Sequence, residues 1–216
     1  MLLQMASPAL PVGAFAYSQG IERAVEDGLI RDAGDAQRWI LDALQGPLTH
    51  WEAPVWLRLH RCAVAGDWLA FAEWNERFVA SRETSELRAE TLQMGASLGS
   101  WARDLSLDVA IPLRAIPELS FTAAHAACAA SSGLDACDAL LAYLWSWLEN
   151  QATAAIKAVP LGQIAAQRLL HSSHGPLEQA VALALRLQDD ELHSAAPGLA
   201  LACARHETQY SRLFRS

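Results

Sequence analysis

A chain with 42 alanines and 33 leucines but only 8 valines and 7 isoleucines is poorly supplied for building a β-sheet. Alanine and leucine lose least on entering a helix, whereas β-branched residues suit strands. The expected class is therefore all-α. Hydrophobic residues make up 52% of the 216 positions and charged residues 19%, which excludes a disordered chain and leaves enough apolar surface for a core without staples. At this length a single domain is expected.

Punctuation and periodicity divide the chain into a bundle of about ten helices. Residues 1–17 carry Pro8, Pro11 and Gly13 and no helical stripe, so they read as an extended lead-in. A short helix is predicted from Ser18 to Gly28. A second, capped by Asp32 or Asp35, should end at Gly46-Pro47. A third spans Trp51 to Ala65, with Pro54 in its first turn, and Asp67 caps a fourth to Ala80. The fifth, Thr84 to Leu105, has the clearest stripe: Leu87, Met94, Leu98, Trp101 and Leu105. Gly95 and Gly99 sit four apart within it. Glycine is costly in a helix, so a close crossing of another helix is expected there. Leu107 to Ile111 is strand-like but read as loop. Further helices are predicted at Thr122–Ser131, at Leu134–Val159 in the centre of the bundle, on to His171 after a stop or kink at Pro160, from Gly175-Pro176 to Gln188, and from Pro197-Gly198 to His206. Residues 207–216 form a tail with no stripe, expected to lie outside the core.

The net charge of −8 argues against a nucleic-acid binder, which needs a basic footprint. Fifteen of the basic residues are arginine, and Lys157 is the one lysine. Cys62, Cys128, Cys137 and Cys203 lie far apart with no CxxC, as suits reduced thiols in a cytosolic protein. No basic region precedes Leu2-Leu3, so no secretory signal is expected. The uncharged stretch Leu119–Leu134 is 16 residues long and rich in Ala and Ser, short of the ~20 apolar residues a membrane span needs. The expectation is a soluble, cytoplasmic protein that meets neither membrane nor nucleic acid.

No motif announces catalysis. There is no phosphate loop, no GxGxxG after a strand, no GxSxG and no HExxH; His206-Glu207 begins such a zinc motif but lacks its second histidine. No enzyme activity and no cofactor are expected. For a metal, the one alternative is His171 with His174, an H-x-x-H beside Glu178, although Ser172, Ser173 and Gly175 suggest that the helix has ended there. His50, His60, His125 and His193 read as surface or satisfied core residues.

Packing alone does not explain three stretches: SPALPVGAFAYSQGIE from Ser7 to Glu22, KAVPLGQ from Lys157 to Gln163, and RHETQYSRLFRS from Arg205 to Ser216. The last mixes Tyr210, Leu213 and Phe214 with arginines, and Arg and aromatics are enriched where partners bind. With the central SRETSELRAETLQMG, these segments resemble, in order, those of the urease accessory protein UreF family, and they span Ser7 to Ser216. Ala14 and Ala16 stand where that family often has Gly or Ser, and Ile21 where it often has Leu.

The resemblance implies an all-α, homodimeric, non-enzymatic scaffold or chaperone for nickel insertion into apo-urease. It implies binding to a second scaffold, UreD (also called UreH), and recruitment of the GTPase UreG. The partner-binding residues expected on this basis are Tyr17, Ser18 and Glu22 from the lead-in and first helix, and Lys157, Gly162 and Gln163 around the turn. From the tail they are Arg205, His206, Glu207, Tyr210, Arg212, Leu213, Phe214 and Arg215, with UreD as the tail's partner. A two-fold GTPase would favour a two-fold scaffold. The alternative is a nickel carrier that holds the metal itself through His171, His174 or cysteines.

Overall fold

Helix starts in this chain are written as side-chain caps, and a computed structural model shows them formed. Asp32, Asp67, Thr84, Ser120 and Asp135 each accept a main-chain N–H from the first turn of the helix that follows. The structure describes residues 1–159 and 161–216; the stop or kink expected at Pro160 lies outside the described residues. Those residues form α1 (Leu2–Met5), α2 (Ile21–Glu26), α3 (Ala33–Ala43), α4 (Ala53–Ala65), α5 (Trp68–Ala80) and α6 (Ser85–Asp104). There follow α7 (Ala110–Arg114), α8 (Phe121–Ser131), α9 (Ala136–Ala158), α10 (Gln163–Ser172), α11 (His174–Ala184) and α12 (Pro197–His206), with no strand among the described residues. The fold is an all-α bundle. None of its described helices is long and apolar enough to cross a membrane.

α9 runs through the middle and packs against α1, α2, α3, α4, α8, α10 and α11. Its length of nearly uncharged sequence is the reason: Leu140, Leu144 and Leu148 are fully buried on one side, and Ala152 and Ala155 let neighbours approach. Six of the eleven residues of α8 are alanine, so α4 and α6 both press close to it. Trp56 of α4 fills the space this leaves and donates its indole N–H to His125 Nδ1 at 3.2 Å. Burial pushes His125 down to about 3, so it serves as a neutral core group, as expected for an isolated histidine.

Three local expectations are corrected. The lead-in is not extended: Leu2–Met5 forms a helical turn, Ala14–Ala16 a 3-10 turn, and Met5, Leu10 and Val12 are buried. Tertiary packing, which a search for a stripe does not see, sets that path. The strand-like run ending in Ile111 enters α7, begun by Ala110 and held by Leu113, which is buried beside α6. Gly46-Pro47 does not end the second predicted helix cleanly. The chain kinks at Gly46 (φ −88°, ψ −109°) and continues through a wide π-helical segment, Leu44–Glu52, into α4. Thr49 Oγ1 donates to the Leu44 carbonyl at 2.6 Å, and the His50 ring bonds the Gly46 carbonyl at 3.0 Å, so carbonyls freed by the kink are satisfied.

The glycine pair on α6 marks a close approach, but only one member carries it, and the partner is the lead-in to α8 rather than a helix body. A Cβ at Gly95 would lie 2.0 Å from the Leu119 carbonyl oxygen and 2.6 Å from the Ser120 carbonyl carbon. At Gly99 it would meet only the Leu119 side chain, at 3.3 Å. Gly95→Ala is therefore expected to force main chain apart and lower stability by at least about 1–3 kcal/mol, while Gly99→Ala changes little. Paired thermal melts check this; equal melting temperatures would contradict it.

Candidate functional site

Two of the three stretches that packing did not explain, with Lys157 of the other, meet where the end of the chain is clasped to its beginning. The core of the clasp is Glu22, in the first turn of α2. Its carboxylate accepts the main-chain N–H of Leu213 at 2.6 Å and of Phe214 at 3.0 Å. Ser18 donates both its N–H (2.8 Å) and its hydroxyl (2.6 Å) to the Ser216 main-chain oxygen, and Arg215 N–H donates to the Ala16 carbonyl at 2.8 Å. His206, fully buried at the end of α12, stands between two carboxylates, with Nδ1 2.7 Å from Glu86 and Nε2 3.3 Å from Glu22. Arg212 closes the group by donating to Glu86 and to the carbonyls of Glu207 and Gln209.

α6 supplies the bed. Glu86, Glu90 and Gln93 recur one turn apart along its flank. Glu90 accepts from Gln19 Nε2 and from the Ser216 hydroxyl, each at 2.8 Å, and burial pushes its carboxyl up to about 7 despite those bonds, with the charge of Glu52 adding to the rise. Gln93 accepts from the Tyr17 hydroxyl at 2.7 Å and from Arg215 at 3.4 Å. Gln19 holds an unusual left-handed main chain (φ +49°), and its amide oxygen accepts the Trp147 indole N–H at 2.7 Å. Glu207 accepts from the N–H and hydroxyl of Ser85 at the start of α6. Those bonds, the hydroxyl's above all, hold its carboxyl below the usual range.

The expected partner-binding residues thus divide in two. Tyr17, Ser18, Glu22, His206 and Phe214, read from sequence as partner-facing, are buried within this chain. Residues 207–216 do not lie outside the core, because a buried acidic cluster draws the main-chain N–H groups of the tail inward. The same cluster carries Phe214 under the surface, where the Lys157 ammonium sits 5.7 Å from its ring. By contrast Tyr210 is entirely exposed (relative accessibility 105%) and Leu213 71% exposed, with Arg212 and Arg215 beside them. Arg205 is exposed and pairs with Asp27 at 3.3 Å. Lys157 lies exposed in the last turn of α9, and Gly162 and Gln163 are exposed at the start of α10.

Beneath the clasp is a cavity of about 130 Å³ whose polar walls include Gln19, Glu52, Arg82, Glu90 and Tyr143. These groups already serve one another. Tyr143 donates to Glu52 at 2.5 Å and shares a hydrogen bond with Thr122, and Arg82 pairs with Glu52 at 3.2 Å. His171 and His174 are both exposed, with ring centroids 5.3 Å apart across the α10–α11 junction, where the helix resumes at His174 after only Ser173. Among the described residues no set of three or more His, Cys, Asp or Glu side chains is placed to hold a metal ion.

The clamped tail of this helical body holds the side chains of Tyr210 and Leu213 out in solvent, where they are available for interaction. A family model described as UreF matches residues 30–174. The urease accessory protein UreF of Azoarcus sp. (strain BH72) is 52% identical over 220 residues, covering 100% of this chain and 94% of the relative. That of Janthinobacterium sp. (strain Marseille) is 47% identical, covering 100% and 96%, and that of Delftia acidovorans 50% identical, covering 100% and 95%. The chain belongs to the UreF family of urease accessory proteins.

Proposed function

We propose that this protein is a non-enzymatic urease maturation scaffold, a cytoplasmic homodimer that binds UreD (UreH), recruits the GTPase UreG, and so supports nickel insertion into apo-urease. The observation that carries the reading is the presentation of Tyr210 and Leu213. Free termini fray, and ordering one on a partner is costly. Here the ordering is already done by bonds behind the tail, so the exposed aromatic and aliphatic groups are pre-positioned. Arg212 and Arg215 at their flanks suit carboxylates on the partner. Lys157, beside Phe214, together with the exposed Gly162 and Gln163, forms the second part of the proposed surface. The buried residues Tyr17, Ser18, Glu22, His206 and Phe214 support this surface from behind rather than touching the partner. The carrier alternative has two imidazoles, His171 and His174, and nothing to complete a ligand set among the described residues.

The test is co-purification. Tagged protein expressed with UreD and UreG should retain both and should raise nickel-dependent activation of apo-urease in the mixture. Failure to retain UreD, with the protein itself folded by circular dichroism, would overturn the proposal.

A further inference from the structure

We propose that His171 and His174 are half of a metal site that a second copy of this chain completes, so that one divalent ion of the zinc class is held by four imidazoles across the two-fold axis of a dimer. The inference rests on the homodimer of the proposed function and on none of its partner proteins.

The first argument is geometric. His171 ends α10 and His174 begins α11, and both are exposed, with ring centroids 5.3 Å apart and planes crossed at 71°. An imidazole nitrogen bound to zinc lies about 2.0–2.1 Å from it, so two rings at the tetrahedral angle have their centres roughly 5 Å apart. The observed separation is that of two ligands on one four-coordinate ion, and exposed side chains turn fast enough to aim a nitrogen each at it. The main chain beneath them is fixed. Buried Ser173 donates its N–H (3.1 Å) and its hydroxyl (2.8 Å) to the Leu169 carbonyl, and its own carbonyl accepts the Leu177 N–H at 2.9 Å. These bonds tie the end of α10 to the start of α11. Ser172 accepts from Gln37 Nε2 of α3 at 3.0 Å, and the Trp145 ring of α9 backs His174 with centroids 5.9 Å apart.

The second argument is ligand counting. A structural zinc site takes four ligands, so two imidazoles alone make half of one. Among the described residues this chain places no third His, Cys, Asp or Glu side chain in a set with them. At an isologous contact a surface patch meets its own duplicate, so a two-fold axis beside the pair brings up two more imidazoles and closes the set. Four imidazoles suit zinc. Glu178, one turn beyond His174 on α11 and exposed, puts its charge near the ion, and its duplicate does the same. The surroundings also suit a contact between copies: Trp145, against His174, and Leu141, one turn earlier on α9, are only partly buried. An ion that binds the dimer and not the monomer strengthens association by mass action, about 100-fold at an ion concentration about 100 times its dissociation constant.

The experiment uses the full chain, free of any affinity tag, with Zn²⁺ as the probe and EDTA as the control. Sedimentation equilibrium should show the dimer dissociation constant falling at least about tenfold when Zn²⁺ replaces EDTA, and equilibrium dialysis should find one ion per two chains. Co²⁺ in place of Zn²⁺ should give the strong visible absorption of a four-coordinate ion. The variant His171→Ala/His174→Ala changes two exposed groups, so it should keep the parent's circular dichroism while losing both the bound ion and the metal dependence of the dimer. Equal dimer strength in Zn²⁺ and EDTA would overturn the inference and leave the homodimer standing. One ion per chain, or a double variant that binds Zn²⁺ like the parent, would overturn it as well. A chain that stays monomeric under every condition would overturn both the inference and the homodimer. If the double variant does not fold, the parent's stoichiometry and its Co²⁺ spectrum decide the matter.

Discussion

Replacing Glu22 by alanine should lower the stability of this protein by about 1–3 kcal/mol, the cost of leaving buried donors with no acceptor, and should free the last residues of the chain. The carboxylate is buried and receives two main-chain N–H groups and the His206 ring. Alanine leaves those donors with no acceptor. The response with the smallest cost is for residues 209–216 to lift into water, which also uncovers Phe214 and Glu90. The helices themselves should persist, because α2 keeps its apolar contacts with α9 through Ile21 and Ala24, both fully buried. A lower denaturation midpoint with near-native helix content, and lost exchange protection at Leu213 and Phe214, is the expected result. Glu22→Gln keeps one acceptor oxygen and should fall between the two. A midpoint equal to the parent's would show that the clasp contributes nothing.

The second large effect should appear in binding rather than stability. Tyr210 and Leu213 touch solvent, so shortening both to alanine removes nothing the fold uses. At a partner interface they are the kind of groups that dominate, each costing about 2 kcal/mol or more when truncated. The double variant should melt like the parent and bind UreD at least about 100-fold more weakly, which corresponds to roughly 2.7 kcal/mol.

Much of the bundle was legible because local rules and tertiary packing agree in it. Asp67 after Gly66 places a helix boundary correctly, and the apolar positions Leu87, Met94 and Leu98 of α6 are buried as their spacing requires. The lead-in was not legible, because Leu10 and Val12 are positioned by α9 and its neighbours and not by any periodic pattern of their own. The clasp was half legible. Its tail and its α2 residues were named as site candidates, but Gln19, Glu86, Glu90 and Gln93, although they lie inside the quoted segments, were not. A signal existed: Glu86, Glu90 and Gln93 form a second, polar stripe beside the apolar one on α6. Such a stripe ordinarily faces water. That it is a bed for residues more than a hundred positions away follows only from tertiary structure, where Ser216 meets Glu90 and Arg212 meets Glu86. The same long-range pairing is why Phe214 and Leu213, neighbours of similar chemistry, have opposite surroundings.

The central claim is that the tail is a surface held ready from behind, with exposed groups for a partner and buried groups for the clasp. Its most direct test is the equilibrium affinity of purified UreD for three forms of this chain: parent, Tyr210→Ala/Leu213→Ala and Glu22→Ala, each checked for helix content. The account predicts large losses of affinity in both variants, with the double variant as stable as the parent and Glu22→Ala destabilised. Undiminished UreD binding by the folded double variant would contradict it.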